Sequence, residues 1–296
     1  MNSRKLAFVL NPRSGRQRFR RSKQETLRVL LAGYPGSYRI FETEYVGHAT
    51  QLAAAAAADG FDVVVAYGGD GTVNEVASGL VGTRSALGII PAGSGNGLAR
   101  GLGVPLKPRS AVEVLKEGEV REIDVGDVDG AYFFNVFGLG FDACLADRFH
   151  RHAGLVRGPL PYFTLGVQAF FQYRAPKVEV DIDGEKLLLA PFALTVANGP
   201  QYGVGARIAP GASLSDGYLD LVYIDMLPAL RALATLPRLF RGTIGRIKEF
   251  HHRRVGRMTL RVPPSTAVQF DGEVRPVATT ELHVSVLPAA LRVIAP

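Results

Sequence analysis

The chain has 296 residues, enough for two domains with separate cores, and 47% of them are hydrophobic, as in an ordinary soluble globular protein. Its single cysteine, Cys144, excludes an internal disulfide and fits a reducing cytoplasm, and no apolar run reaches the ~18–20 residues of a membrane span. The net charge of +7 is concentrated in residues 1–30 and 231–261, each with nine Lys or Arg against one Glu, which suits phosphates or anionic lipids.

The first 125 residues alternate short apolar strands with helices. Strands are predicted over 6–10, 38–41, 61–66 and 87–90, and helices over 17–31, 49–58, 73–80 and 111–116. This alternation predicts an α/β domain with a parallel sheet over residues 1–125.

A glycine-rich turn, Gly68-Gly69-Asp70-Gly71-Thr72, joins the third predicted strand to a helix for which Thr72 is the expected N-cap. Glycines let main-chain N–H groups approach a ligand, and a helix N-terminus favours phosphate. Similar turns follow neighbouring strands at 11–15 and 91–97. Since the carboxyl ends of parallel strands share one edge, the three turns predict one polyphosphate site. The absence of G-x-x-x-x-G-K-[ST] and of G-x-G-x-x-G argues against a P-loop enzyme and a Rossmann dinucleotide domain.

From Val125 onward, alternation with a period of two residues predicts antiparallel sheets, arranged as a sandwich, in a β-rich domain over residues 126–289. Strands are predicted over 178–182, 219–223, 258–262 and 282–286, and helical inserts over 161–173 and 228–241.

The motifs resemble the diacylglycerol kinase catalytic domain, and more specifically the bacterial soluble lipid kinases related to sphingosine and ceramide kinases. GGDGT at 68–72 is accompanied, in the family's order, by NPRSG at 11–15, PAGSGN at 91–96, FNVFGLGFDA at 134–143, ANGPQYGVG at 197–205, SLSDGYLD at 213–220 and FDGE at 270–273. GGDGT alone would also suit an NAD kinase or a phosphofructokinase relative, and the later motifs favour the lipid-kinase branch.

The resemblance implies a nucleotide-binding domain of NAD kinase or phosphofructokinase type, a C-terminal antiparallel β-sandwich and an active site in the cleft between them. It also allows residues 290–296 to return to the first domain. The implied activity is transfer of the γ-phosphate of ATP, with Mg²⁺, to a hydroxyl of a membrane lipid: diacylglycerol, a sphingoid base or phosphatidylglycerol. The alternatives are an NAD kinase-like phosphotransferase and a non-catalytic nucleotide- or lipid-binding sensor.

The resemblance also assigns site residues. ATP is expected to bind Asn11, Thr43, Gly68, Gly69, Asp70, Gly71, Thr72 and Ser94. A carboxylate among phosphate-binding glycines points to Mg²⁺ at Asp70, with a turn-stabilising role as the competing interpretation. By resemblance, Asp124 lies near the acceptor headgroup, and Ser213, Asp216 and Tyr218 hold a structural Mg²⁺ through the aspartate and two backbone carbonyls.

Two tripeptides compete for the role of general base, because Asp183-Gly184-Glu185 repeats Asp271-Gly272-Glu273 and both are hairpin signals. The residues alone cannot choose between them. The family pattern selects the C-terminal copy, with Glu273 as the first choice for the base and Asp271 as the second.

One position departs from the family pattern: many bacterial relatives have an acidic residue where this chain has Gly97, which leaves the acceptor lipid open. We expect a cytoplasmic protein that attaches peripherally to anionic membrane through the basic, partly apolar segment 231–261. A homodimer is left open. Nucleic acid is not an expected partner, because no zinc spacing, RNP pattern or helix-turn-helix signal is present.

Overall fold

The structure, a computed structural model, describes residues 4–12, 14, 23–141, 143, 173–203, 205–277 and 279–296. Cys144 and residues 161–172 of the helix predicted over 161–173 lie outside the described residues, as do residues 17–22 of the first predicted helix. The chain divides into two compact units. The first contains Met1–Val125, Leu214–Asp216 and Leu287–Pro296, and the second contains Gly126–Ser213 and Gly217–Val286.

The first unit contains a parallel sheet in the order β2-β1-β3-β4. Its strands are β1 (Leu6–Leu10), β2 (Tyr38–Glu42), β3 (Val63–Gly68) and β4 (Ala86–Pro91). Every residue of β1, β3 and β4 is buried, as their continuous apolar sequences require in a parallel sheet covered on both faces. The predicted parallel α/β unit is confirmed.

The helices of the first unit are α1 (Lys23–Leu30), α2 (His48–Ala58), α3 (Asp70–Ser78), α4 (Gly97–Gly101) and α5 (Pro108–Glu117). The prediction of Thr72 as an N-cap was wrong. Helix α3 begins at Asp70, and Gly69 is the N-cap in an extended conformation, with φ −89° and ψ −172°. Asp70 thus lies in the first turn, where the helix dipole favours a negative charge.

The second unit contains antiparallel strands. The chain passes through β5 (Glu119–Val128), β6 (Ala131–Phe133), β7 (Val136–Gly140), β8 (Val178–Ile182), β9 (Glu185–Leu189), β10 (Ala193–Ala197), β11 (Leu219–Ile224), β12 (Phe250–Val255), β13 (Arg257–Arg261), β14 (Ala267–Phe270), β15 (Glu273–Pro276) and β16 (Glu281–Ala295). One sheet has the order β12-β11-β10-β7-β14-β15, and β16, β13, β8 and β9 are neighbours in the other. The last part of β16 belongs to the first unit, where Val293 pairs with Leu87 in parallel.

An apolar core of described residues lies between the two antiparallel sheets. Phe137, Leu194 and Leu221 of the six-stranded sheet pack in one cluster with Val180 and Leu260 of the other, and all five are fully buried. This packing follows from the alternation of apolar and polar residues along each strand. The predicted antiparallel β-sandwich is confirmed.

The other face of the six-stranded sheet is covered in part by the connection between β11 and β12. This connection contains helix α6 (Ala229–Phe240) and a 3₁₀ turn at Ile244–Arg246. Ile244 is buried there in a second cluster with Val222 and Ile224.

Candidate active site

The residues that follow the four parallel strands lie side by side at one edge of the sheet. The main-chain N–H of Thr43 donates to Leu10 O at 2.8 Å, and that of Asn11 donates to Tyr67 O at 3.3 Å. The strand order reverses between β1 and β3, and in open α/β sheets ligands bind at such a switch point. Across it, Asn11 Nδ2 donates to Thr72 Oγ1 at 3.2 Å. The structure therefore brings the residues of the predicted nucleotide site together.

The two glycine-rich turns touch each other directly. A Cβ on Gly93 would lie 2.7 Å from Gly69 Cα, and a Cβ on Gly95 would lie 2.7 Å from Asp70 Oδ2. Both distances are too short for a real Cβ contact, so these glycines are needed for the close approach of the two turns. Ser94 lies exposed between them.

Asp70 fastens the second turn to the first. Its Oδ2 accepts the N–H of Asn96 at 2.8 Å, and its Oδ1 accepts the N–H of Gly97 at 2.7 Å. These are donors at the start of α4, where the first N–H groups have no partner within the helix. The carboxylate thus stabilises a turn, as the competing interpretation of Asp70 expected, but it is the second turn and not its own; a role in binding Mg²⁺ stays a prediction.

Asn96 shapes the same turn from inside. Its φ is 53°, a left-handed conformation that asparagine tolerates better than most residues. Its side-chain Oδ1 accepts the N–H of Gly93 at 3.0 Å, and its Nδ2 donates to Gly93 O at 2.8 Å. Arg100 Nε adds a hydrogen bond to Gly95 O at 3.0 Å, so the turn is held at several points.

Lys23 is a site residue that the sequence did not single out. Its Nζ lies 2.5 Å from Asn11 O and 2.6 Å from Ser14 Oγ, and 5.1 Å from the centre of the Tyr67 ring. Burial of the ammonium lowers the pKa of Lys23 to about 8. Lys23 is one of nine basic residues in the first 30, so only the fold distinguishes it from its neighbours.

The two Asp-Gly-Glu copies adopt the same hairpin turn. Asp183 and Gly184 have φ values of 52° and 89°, and Asp271 and Gly272 have 49° and 92°. Positive φ at both central residues is the mark of the two-residue turn that matches strand twist. Backbone geometry therefore does not separate the copies any better than sequence does.

The contacts of the two aspartate side chains distinguish the two copies. The Asp271 carboxylate accepts three main-chain N–H groups, from Phe134 at 2.9 Å, Asn135 at 2.8 Å and Val136 at 2.9 Å. The side chain of Asp183 is 72% exposed and lies 3.6 Å from Arg257. The C-terminal turn is thus fastened to the loop that leads into β7.

With Asp271 engaged in this way, Glu273 is the better-placed of the two candidate bases. Its side chain is 41% exposed, and its Oε2 lies 3.2 Å from the guanidinium of Arg275. Glu185 in the other copy has a similar ion pair, 2.8 Å from Arg253. The assignment of the base to Glu273 stays a prediction.

Asp124 is buried, with 3% of its surface exposed. Its Oδ1 accepts the N–H of Ala289 at 2.8 Å, and its own N–H donates to Leu214 O at 2.7 Å. Asp124 therefore fixes the segment that precedes Asp216. Its role near an acceptor headgroup stays a prediction.

Of the residues predicted to hold a structural Mg²⁺, Asp216 belongs to the first unit, and Ser213 and Tyr218 belong to the second. Asp216 is exposed, and the Tyr218 ring lies 4.5 Å from the Arg254 guanidinium. Within the described residues there is no group of three or more His, Cys, Asp or Glu side chains that could hold a metal ion. The predicted site needs one carboxylate and two backbone carbonyls, and it stays a prediction.

Comparison with known proteins matches each half of the chain to a family model. The family model of the diacylglycerol kinase catalytic domain matches residues 5–128, and that of the YegS C-terminal NAD kinase beta sandwich-like domain matches residues 135–295.

Relatives match over most of their length. A diacylglycerol kinase of Bacillus subtilis is 31% identical over 91% of this chain and 90% of its own. One of Mycobacterium tuberculosis is 32% identical over 84% of this chain and 81% of its own. The solved structure of a diacylglycerol kinase from Bacillus anthracis shares the fold, with a TM-score of 0.72 at 22% identity over 99% of this chain and 97% of that one. The chain therefore belongs to the diacylglycerol kinase catalytic domain family, and it is a kinase.

Proposed function

We propose that this protein transfers the γ-phosphate of ATP to the free hydroxyl of diacylglycerol, or of a lipid with a similar headgroup, at a membrane surface. The observation that carries the proposal is the contact of two glycine-rich turns at the switch point of a parallel sheet. The names of the relatives favour diacylglycerol over a sphingoid base or phosphatidylglycerol.

The phosphates of ATP would bind the first turn of α3 and the turn that contains Ser94. In α3 the N–H groups of Asp70, Gly71 and Thr72 have no partner inside the helix, because the helical ladder starts with Val73 donating to Gly69 O at 3.0 Å. These donors and the helix dipole favour phosphate. Asn11 and Thr43 would complete the site from the neighbouring strands.

The oxygen chemistry of Asp70 fits a Mg²⁺ ion. Each of its carboxylate oxygens accepts one hydrogen bond and keeps a lone pair for a hard cation. Asp216 would supply the same kind of ligand in its loop. A bound Mg²⁺ would neutralise charge on the phosphates, while Asp70 would continue to hold the second turn against the first.

In the proposed reaction the lipid hydroxyl oxygen forms a bond to the γ-phosphorus as the bond from that phosphorus to the β,γ-bridging oxygen breaks. ADP leaves, and the hydroxyl proton passes to the Glu273 carboxylate. Phosphoryl transfer requires positioning and charge neutralisation more than covalent catalysis, so one positioned base is sufficient. Asp271 would act as a positioning residue for the turn that carries Glu273.

The test is mass spectrometry of lipids after incubation with the protein, Mg²⁺ and ATP labelled with heavy oxygen in the γ-phosphate. We expect label in phosphatidic acid when diacylglycerol is present. Label in another lipid of an extracted mixture would identify that lipid as the substrate instead. Label only in NADP when NAD is added would show that the protein is an NAD kinase. Nucleotide binding without any labelled product would favour a sensor.

No helix among the described residues is long and apolar enough to cross a membrane. We propose that the protein is cytoplasmic and reaches its lipid by reversible attachment to an anionic bilayer surface. The basic segment 231–261 supports this, because cationic side chains are attracted to anionic headgroups.

A further inference from the structure

Helix α6 exposes large apolar side chains that no described residue covers. Leu230 is 85% exposed, Leu233 45%, Leu236 48% and Phe240 58%. None of the twelve residues of this helix is buried, although the helix is strongly amphipathic in sequence. Single exposed leucines are ordinary, but four on one short helix indicate an interaction surface.

The packing of α6 shows which side faces away from the protein. Ala232 and Leu239 pack against the buried cluster that contains Ile244, and Thr235 Oγ1 donates to Ala232 O at 2.7 Å on the same side. At ~100° per residue, the opposite side of the helix presents Leu230, Ala234 and Pro237. That side carries no charged residue.

Around the same helix, the apolar and basic residues lie on opposite flanks. Leu233, Leu236 and Phe240 lie within ~60° of one another on one flank, and Arg231 and Arg238 lie on the other. The helix contains no acidic residue. This distribution is that of a helix that lies in the plane of a membrane interface, with its apolar residues among the lipids and its cations at the headgroups.

Several basic residues near α6 are available for an anionic surface. Among the described residues, none forms an ion pair with Arg238, Arg241, Arg246 or Lys248, all of which are exposed. Other cations of the 231–261 segment are engaged within the protein, since Arg231 lies 3.1 Å from Glu249 and Arg253 lies 2.8 Å from Glu185. The available charge is therefore concentrated at the C-terminal end of the helix.

Some apolar residues of the 231–261 segment are packed within the protein and others are exposed, as is also true of its cations. Leu239, Ile244, Ile247 and Phe250 pack against the core of the second unit, whereas Leu236 and Phe240 are exposed. Only the helix, and not the whole segment, thus presents an apolar surface.

We propose that α6 is the membrane-docking element of this protein, and that its occupant is the interfacial region of an anionic lipid bilayer. A second copy of the chain fits less well, because in a symmetric contact the partner's helix would bring further cations and no acidic residue to the exposed Arg238 and Arg241. The proposal rests on the proposed lipid kinase activity for its biological purpose, but docking can be measured without turnover.

The absence of tryptophan from the chain provides a direct test. Phe240→Trp introduces a single fluorophore on the docking face, and Leu188→Trp is the matched control, because Leu188 is 76% exposed on β9. With vesicles of phosphatidylcholine and about one third phosphatidylglycerol, we expect a blue shift and quenching by brominated lipid for the Trp at 240 only. Equal behaviour of the two reporters would overturn the proposal.

The second test removes the exposed apolar side chains of α6 and, separately, its exposed cations. We expect the triple variant Leu230→Ser, Leu233→Ser and Phe240→Ser, and separately Arg238→Glu with Arg241→Glu, to reduce co-sedimentation with these vesicles about tenfold or more. Leu188→Ser should bind as the unchanged protein does. Phosphorylation of vesicle-borne diacylglycerol should fall in parallel, and phosphorylation of a dispersed short-chain diacylglycerol should stay within about twofold.

Each result that would contradict the docking proposal or the proposed function has a different meaning. Unchanged vesicle binding by the triple variant would overturn the proposal, and so would the loss of a dimer in sedimentation velocity with vesicle binding intact. Equal activity losses on vesicle-borne and dispersed lipid would assign the helix to the fold or to the active site. If the unchanged protein binds vesicles through α6 and phosphorylates no lipid, the proposed function fails and the docking inference stands.

Discussion

The Asp70 carboxylate accepts a hydrogen bond from the main-chain N–H of Gly97 at 2.7 Å, which ties the first turn of one helix to the start of another. Since each helix follows a different strand of the parallel sheet, this bond sets the spacing of the two turns at the candidate nucleotide site. Gly97 is also the position at which the sequence departs from the acidic residue that the family resemblance implies. Here the main chain of Gly97, and not a side chain, is what Asp70 contacts.

Asp70→Asn should lower both stability and activity. An asparagine offers one acceptor oxygen where Asp70 offers two, so the N–H of Asn96 or of Gly97 loses its partner at a cost of about 1–3 kcal/mol. Urea denaturation measures this change, and lipid phosphorylation should fall by a larger factor because the turns also shift. An unchanged urea midpoint would contradict the structural role, and recovery of full activity at high Mg²⁺ would assign the loss to metal binding alone.

Gly95→Ala should disturb the site through the same carboxylate. The new methyl would lie 2.7 Å from Asp70 Oδ2, and a shift of Asp70 breaks its bonds to the start of α4. The control is Gly101→Ala in the same helix, where the nearest atom, Leu214 Cδ1, is at an ordinary 3.5 Å. We expect a raised KM for ATP for the first variant and near-normal kinetics for the second; equal kinetics would mean that the turns do not need this contact.

The sequence was sufficient to predict the parallel and the antiparallel sheets. Continuously apolar strands are buried on both faces, as in a parallel sheet, whereas strands that alternate apolar and polar residues are buried on one face, as in an antiparallel sheet. It could not place the start of α3. The N-cap rule favoured Thr72, but the chain begins the helix at Asp70, where the carboxylate reaches α4. That bond spans 27 residues, and no local pattern encodes it. Lys23 was missed for the same reason, since its partners Asn11 and Ser14 lie outside its own helix and are brought close to it only by the fold.

Asp271→Asn should destabilise the protein, and Asp183→Asn should not. Asparagine tolerates the positive φ of both turns, so the comparison isolates the hydrogen bonds of the carboxylate. The amide at 271 cannot accept all three N–H groups of 134–136, and we expect a loss of about 1–3 kcal/mol in the free energy of unfolding. Denaturant titration of both variants would show it, and similar values for the two would refute the distinction between the copies.

Glu273→Gln should reduce kcat about 10²–10⁴-fold, the usual contribution of a positioned general base. Glu185→Gln is a matched control, because it also removes a carboxylate that is paired with an arginine after an Asp-Gly turn. Its kcat should be nearly unchanged. Steady-state kinetics on diacylglycerol separates the two, and a larger effect at Glu185 would mean that the base was assigned to the wrong copy.

Lys23 should make both stability and ATP binding depend on pH. Burial lowers its pKa from 10.5 to about 8 in the folded protein, so between these values the unfolded chain binds more protons than the folded one. The free energy of unfolding should therefore rise with pH through this window, relative to Lys23→Met. Burial raises the pKa values of Tyr34 and Tyr67, and these shifts lower the free energy of unfolding as the pH rises further. Both tyrosines are present in the unchanged protein and in Lys23→Met, so the comparison of the two isolates Lys23.

The same titration removes a positive charge beside Asn11 O and Ser14 Oγ, which lie at the candidate phosphate site. We expect the KM for ATP of the unchanged protein to rise as pH passes through about 8, because the neutral amine no longer attracts the phosphates. Lys23→Met should have a high KM with no such inflection, and Lys23→Arg should keep a low KM to higher pH because a guanidinium stays charged. If the KM profiles of all three proteins coincide, Lys23 serves the fold of the N-terminal loop and not the nucleotide.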